Sequence, residues 1–401
     1  PVEKEITEPK DFEGKTFGGA GSDLERAMME TIMRENDADI DRGWSSVGNI
    51  WDYWIKQDTV RRKTEMGHKP NPYFLSEKKG LTAHESTLKV TMGDGALEQL
   101  RNYKEGRIAI VLDTYLLESE VLKKLKEEIL AEREYKIICD VKEEPSYEAI
   151  DPFIPVVQEY APRYILAIGG GSTMDTAKAL WSFYECPELT WEKALKGLPA
   201  FPGKAVLIAV PTTSGTGAEA TGAAVYKKYD GTKALWIDKA IRPKEAFLDY
   251  SLLESIPQKV IVNAGVDALA HVIGALSCEA CNIMEHMIST QVAVSILKAL
   301  PKSCRKDADA RAIMHVCAHL AGDEIENAGG GLEHKLDMFA KAYHLPHGEV
   351  IGIFLPYTML YLIRENHYLD IAKQLGMPGE TPCEKQRALV DFIWKIYDEI
   401  G

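Results

Sequence analysis

An alternation constrains this chain most. Between about residues 86 and 255, short Val- and Ile-rich runs (RIAIVLD, YKIICDV, YILAIGGG, AVLIAVP) take turns with segments of helical spacing. Strands that are apolar throughout must be covered on both faces, and parallel neighbours need a crossover long enough to hold a helix. The pattern predicts βαβ units and a parallel sheet, with ESEVLKKLKEEILAERE as one crossover helix. After about residue 256 the strand signals stop. VNAGVDALAHVIGALSC, MISTQVAVSILKAL and RALVDFIWKIYDEI carry apolar residues at helical spacing. The expected architecture is an α/β domain at 86–255 followed by an all-helical domain at 256–401.

Residues 1–85 read differently. They are polar and irregular, with one amphipathic stretch, DLERAMMETIMREN, that puts Leu24, Met28 and Ile32 on a stripe, and with Trp44, Trp51 and Trp54 beyond it. Apolar surface of this kind must be buried somewhere. The expectation is an N-terminal extension outside the catalytic machinery, used for packing, for assembly or for docking another protein.

A net charge of −14 argues against nucleic acid or an anionic membrane as the main partner. No run of 18 apolar residues suggests a membrane span, and the first residues, PVEKEITEPKDFEGK, lack an apolar signal core. Seven scattered cysteines make no disulfide framework, so a reducing, cytoplasmic location is expected. Cys278 and Cys281 form a lone CxxC, a weak metal or redox signal without a second pair.

Two loops carry a ligand signature. In YILAIGGGSTMDTAKAL a buried strand runs into Gly169, Gly170 and Gly171, and a helix opens at Ser172. Glycines let the backbone approach a ligand closely, and N–H groups at a helix start bind phosphate. The bland alternative is a tight strand-to-helix turn. AVPTTSGTGAEAT follows another strand and offers the hydroxyls of Thr212, Thr213 and Thr216, with Gly215 and Gly217 among them. Loops at the carboxyl ends of neighbouring parallel strands flank one crevice, and a nucleotide is its natural occupant. Asp113 ends a strand, where a carboxylate can accept hydrogen bonds from an adenosine ribose and repel a 2′-phosphate, or can serve only as a strand-end cap.

The helical part offers metal ligands. In GVDALAH, Asp267 and His271 stand four apart, one turn along a single helix face. Downstream, GGGLEHKLDMFAKAYHLPHGEV supplies Glu333, His334, Asp337, His344 and His347. Asp267, His271, one residue near 334 and His347 would give a divalent ion N and O donors, which suits Fe²⁺ or Zn²⁺. His315 and His319 are also four apart, but without a carboxylate or a glycine loop beside them in sequence they read as helix-face histidines.

GGGSTMDTAK, PTTSGTGAEAT, AGVDALAH and GLEH…PHG, in this order, resemble the iron-containing (group III) alcohol dehydrogenase family, from about Leu88 to near the C-terminus. The resemblance implies a dinucleotide-binding domain, a helical metal-binding domain, and a homodimer or higher homo-oligomer. It implies Asp267, His271, His334 and His347 as ligands of Fe²⁺, with Zn²⁺ an alternative. It implies NAD(H) held by Asp113, Gly169, Gly170, Gly171, Ser172, Asp175, Thr212, Thr213 and Thr216. The third ligand is His334 when counted forward from His271 and Glu333 when counted back from PHG. One turn later the family has a proton-handling histidine; Asp337 and Met338 occupy that turn here, and Asp337 is the candidate substitute. The implied activity is hydride transfer between nicotinamide and a small alcohol or aldehyde, its oxygen held by the metal. Alternatives are a glycerol-type polyol dehydrogenase, or a non-catalytic assembly protein with a degenerate metal site. A lyase acting on a phosphorylated substrate would need a basic cluster that 267–347 lacks.

Overall fold

The computed structural model describes residues 84–86, 88–103, 105–142, 144–337 and 345–401. The N-terminal apolar stripe and its tryptophans, Met338 and His344 lie outside the described residues. The chain divides into two compact units, one running from Thr82 to Gly329 with Glu399–Gly401, the other including Gly330–Asp398.

The first unit contains a six-stranded sheet in the order β1-β8-β5-β4-β2-β3. Its strands are β1 (Lys89–Met92), β2 (Ile108–Asp113), β3 (Tyr135–Val141), β4 (Tyr164–Gly169), β5 (Val206–Pro211) and β8 (Glu245–Leu248), all paired in parallel. The four expected strands are present. The period of two along each strand sorts their side chains into two cores. Ala109, Val111, Ile165, Ala167, Leu207 and Ala209 face one cluster. Ile108, Ile110, Leu112, Leu166, Ile168, Ile208 and Val210 face the other. Helix α1 (Gly171–Glu185) packs on the first cluster through Met174, Ala177, Leu180 and Trp181.

Four strands went unanticipated. β1 and β8 are four residues each, too short to show a period. β6 (Ala223–Lys227) and β7 (Lys233–Ile237) form a separate antiparallel hairpin around Asp230-Gly231, a turn signal that the sequence does carry. The expected crossover helix is also shorter than its sequence pattern. It is helical over Glu120–Lys124 and then widens into one π turn, in which Leu130 N–H bonds Leu125 C=O, burying Leu122, Leu125, Ile129 and Leu130 together.

Three long helices complete this unit: α2 (Gln258–Ser277), α3 (Ile283–Cys304) and α4 (Ala308–Ala328). Among the described residues α2 alone is long and apolar enough to cross a membrane; 67% of its apolar window is buried in the fold. Residues 84–86, assigned from sequence mostly to the extension, belong to this unit. His84 bridges Glu285 (3.0 Å) and Asp323 (3.2 Å), and Glu85 N–H donates to Asn327 Oδ1 (2.9 Å). The second unit holds α5 (Leu332–Lys335), α6 (His347–Tyr361) and most of α7 (Pro382–Ile400), whose Leu389, Val390, Ile393 and Ile396 are buried.

Candidate metal and cofactor sites

The strand order reverses between β2 and β4. The chain steps from β2 outward to β3 and then returns to the other side of β2. Loops leaving β2 and β4 therefore diverge, and a crevice opens at their carboxyl ends. Asp113 ends β2 and the three-glycine loop ends β4, so both stand at that switch point.

The glycines are needed for close approach. A Cβ on Gly169 would lie 2.4 Å from Thr173 Oγ1 and 2.5 Å from Asp113 Oδ2, and a Cβ on Gly171 would meet Thr216 at 3.0 Å. Asp113 Oδ2 accepts the Gly170 N–H at 2.9 Å. Burial pushes its carboxyl above the usual range, against the lowering effect of that bond and of Thr173. Gly170 is the N-cap of α1, so no side chain of the cap residue satisfies the first-turn N–H groups of this 15-residue helix.

The other loop residues divide by role. Thr213 and Thr216 neighbour the positions a Cβ would take on Gly170 and Gly171. The buried Thr212 accepts a hydrogen bond from Tyr115 Oη at 2.7 Å. Ser172 is half-buried at the helix start. Asp175 Oδ2 accepts Val225 N–H (2.9 Å), tying α1 to β6; burial pushes its carboxyl up to about 6, opposed by the nearby Lys178. Gly215 and Gly217, the glycines of the threonine loop, make room for helices: a Cβ on Gly215 would strike Ala264 in α2 at 2.6 Å, and one on Gly217 would strike Gly322 Cα in α4 at 2.5 Å.

Asp267 and His271 lie one turn apart near the middle of α2, at 3% and 5% exposure, with His271 Nε2 3.5 Å from Asp267 Oδ1. Placing a carboxylate and an imidazole inside a long, largely buried apolar helix is costly unless both are engaged. In the second unit, His334 and His347 bring their rings to 5.6 Å. Each has a carboxylate on Nδ1: Glu333 Oε1 at 2.9 Å from His334, and Asp337 Oδ1 at 2.5 Å from His347. That arrangement presents Nε2 as the donor a metal would take and fixes the tautomer. Glu333 is itself buried, with the Thr358 hydroxyl 3.5 Å from its second oxygen. One carboxylate with imidazoles is a hard-to-borderline donor set that fits Fe²⁺ or Zn²⁺.

The competing pair, His315 and His319, has other engagements. His315 Nδ1 lies 3.0 Å from Ser214 Oγ, and His319 Nδ1 lies 3.2 Å from Glu219 Oε1. Glu219 was not singled out from sequence, because its partner is 100 residues away. Cys278 caps the C-terminus of α2, Cys281 is buried, and no disulfide links them.

Family models match along most of the described chain. "Iron-containing alcohol dehydrogenase" matches residues 87–250, and "Fe-containing alcohol dehydrogenase family, C-terminal" matches 261–401. A third, "NMT1/THI5 like", matches residues 1–43. A NADPH-dependent butanol dehydrogenase of Clostridium saccharobutylicum is 34% identical over 315 residues, 76% of this chain and 80% of that one. An iron-containing alcohol dehydrogenase of Thermococcus thioreducens superposes with a TM-score of 0.73 at 30% identity, covering 80% of this chain and 86% of its own. A sulfoacetaldehyde reductase of Bifidobacterium kashiwanohense in complex with NAD⁺ shares the fold, with a TM-score of 0.72 at 22% identity over 80% and 87% of the two chains. With its parallel α/β part, its helical C-terminal part and its two matching models, this chain belongs to the iron-containing alcohol dehydrogenase family, oxidoreductases acting on CH–OH groups.

Proposed function

We propose that the chain is a metal-dependent, NAD(H)-linked alcohol dehydrogenase and aldehyde reductase for small alcohols or aldehydes. The observation that carries this reading is the Asp267–His271 pair, one turn apart inside buried α2. We assign Asp267, His271, His334 and His347 as ligands of Fe²⁺ or Zn²⁺. Glu333 is assigned to hold His334 through Nδ1, which favours His334 over Glu333 as the third ligand. Asp337 has a second role beside the proton handling expected from sequence: its bond to His347 Nδ1 orients that ring.

When bound, such an ion acts as a Lewis acid that polarises a carbonyl or acidifies an alcohol, and the nicotinamide gives or takes the hydride. The chain's own residues do the rest. The open N–H groups of α1 and the Gly169–Ser172 backbone bind the pyrophosphate, with Thr213 and Thr216 beside them. Asp113 favours a ribose hydroxyl over a 2′-phosphate by charge repulsion; the NADPH dependence of the Clostridium relative makes this the finer point to test. The homo-oligomeric state and the assembly role of residues 1–85 belong to the same proposal, and light scattering checks them.

The deciding experiment is metal analysis of purified protein together with an NADH- and NADPH-linked aldehyde screen, Fe²⁺ and Zn²⁺ being supplied. About one ion per chain and faster NADH turnover are expected. No bound metal after supplemented expression overturns the site, and equal kcat/KM for the two cofactors overturns the role of Asp113.

A further inference from the structure

Helix α4 carries His315, His319, Asp323 and Glu326 at spacings of four, four and three, which places them on one stripe of the helix. Three of these side chains reach the loop that follows β5. His315 Nδ1 lies 3.0 Å from Ser214 Oγ. His319 Nδ1 lies 3.2 Å from Glu219 Oε1, both side chains being buried. Glu326 Oε2 accepts the Gly222 N–H at 3.0 Å, while its other oxygen pairs with Arg242 at 3.2 Å. Between these points Gly217 takes a left-handed φ of +58° and lays its backbone on Gly322, so closely that neither glycine has room for a Cβ.

The contacts at 214, 217, 219 and 222 are interleaved with Thr213 and Thr216, which stand against the glycine loop. We infer that the α4 stripe is the template of the second cofactor loop and that His319, acting through Glu219, is a positioning residue for nicotinamide-cofactor binding. This rests on the assignment of that loop to the cofactor in the proposed function. The chemistry is consistent with a held charge. Burial alone would raise the Glu219 carboxyl, yet the hydrogen bond and charge of His319 keep it below the ordinary range. A buried carboxylate deprived of its partner is not tolerated in place, so the loop must move with it.

The test compares His319→Leu with the conservative His319→Gln, whose amide can still donate to Glu219. The readouts are the Kd for NADH by fluorescence titration, and kcat and KM for aldehyde at saturating NADH. The leucine variant is expected to weaken NADH binding by roughly tenfold or more, as small misplacements of a binding loop do, while the aldehyde KM stays within about twofold. The glutamine variant should restore NADH binding to within about threefold of the parent. If His319→Leu does not fold, His319→Leu with Glu219→Gln removes the stranded charge, and it should still bind NADH weakly. A folded His319→Leu or double variant with the parent Kd overturns the inference. A parent chain that binds neither NADH nor NADPH overturns the cofactor assignment itself.

Discussion

Gly322→Ala tests the contact between α4 and the second cofactor loop with a single methyl group. The added Cβ would lie 2.4 Å from Gly217 O, 2.7 Å from its Cα and 2.9 Å from its carbonyl carbon. Non-bonded carbons rest at about 3.5–4.0 Å, so the two backbones must part by about 1 Å. Both sides are main chain, and no rotamer can relieve the clash. Overpacking costs about 1–3 kcal/mol, against about 1 kcal/mol gained from alanine in a helix interior, so a net loss of about 1 kcal/mol is expected. The part free to move is the loop, so NADH affinity should fall roughly tenfold or more. Gly265→Ala is the control. Its Cβ meets Leu300 Cδ1 at 2.4 Å and Met314 Cε at 3.1 Å, the ends of flexible side chains, so stability should fall less and NADH binding should stay near the parent value. Denaturant titration and NADH fluorescence measure both effects. A Gly322→Ala protein with parental stability and parental NADH affinity refutes the reasoning.

Asp267→Ala or His347→Ala should drop bound metal to well below one per chain by elemental analysis, with turnover lost and circular dichroism unchanged; retained stoichiometry in both removes the ligand assignment. Asp113→Gly should narrow the NADH-over-NADPH ratio of kcat/KM by about tenfold, the scale of one charge contact, and an unchanged ratio places the discrimination elsewhere. Burial pushes Glu324 up to about 8 from 4.5, so its folded form holds a proton more tightly than the unfolded chain. Stability from this group is complete below 4.5 and is lost as pH rises through 8, so Glu324→Gln should match the parent at pH 4.5 and exceed its Tm at pH 9; no divergence between the two Tm profiles contradicts this. A chain starting at His84 should fold and bind NADH, whereas one starting at Thr87 loses the His84 and Glu85 bonds and should melt several degrees lower.

The sequence spoke most clearly where one residue's role depends only on its neighbours. The strands β2, β4 and β5 are apolar throughout because both faces are covered, and that shows as unbroken Val and Ile runs. Asp267 and His271 are four apart on one helix, so their shared face is local information. What went unread has the opposite character. Gly215 and Gly217 showed in sequence only as loop glycines, but what they accommodate are Ala264 and Gly322, far along the chain. Glu219 gave no signal because a lone Glu is ordinary until His319 is brought beside it. The ion pairs of His84 were illegible for the same reason: nothing local to it announces Glu285 and Asp323.

Helix α2 has one more consequence, for biosynthesis. Its 20 residues have a window of mean hydropathy 1.6, within the range of a membrane span. During synthesis α2 leaves the ribosome before α3 and α4, the helices that bury it, have been made. For that interval it is an apolar segment of spanning length exposed to the insertion machinery. Asp267 stands at its middle, where a carboxylate opposes transfer into the bilayer by about 2.5–3.5 kcal/mol. The side chain assigned to the metal thus also keeps the nascent helix in water until its partners arrive.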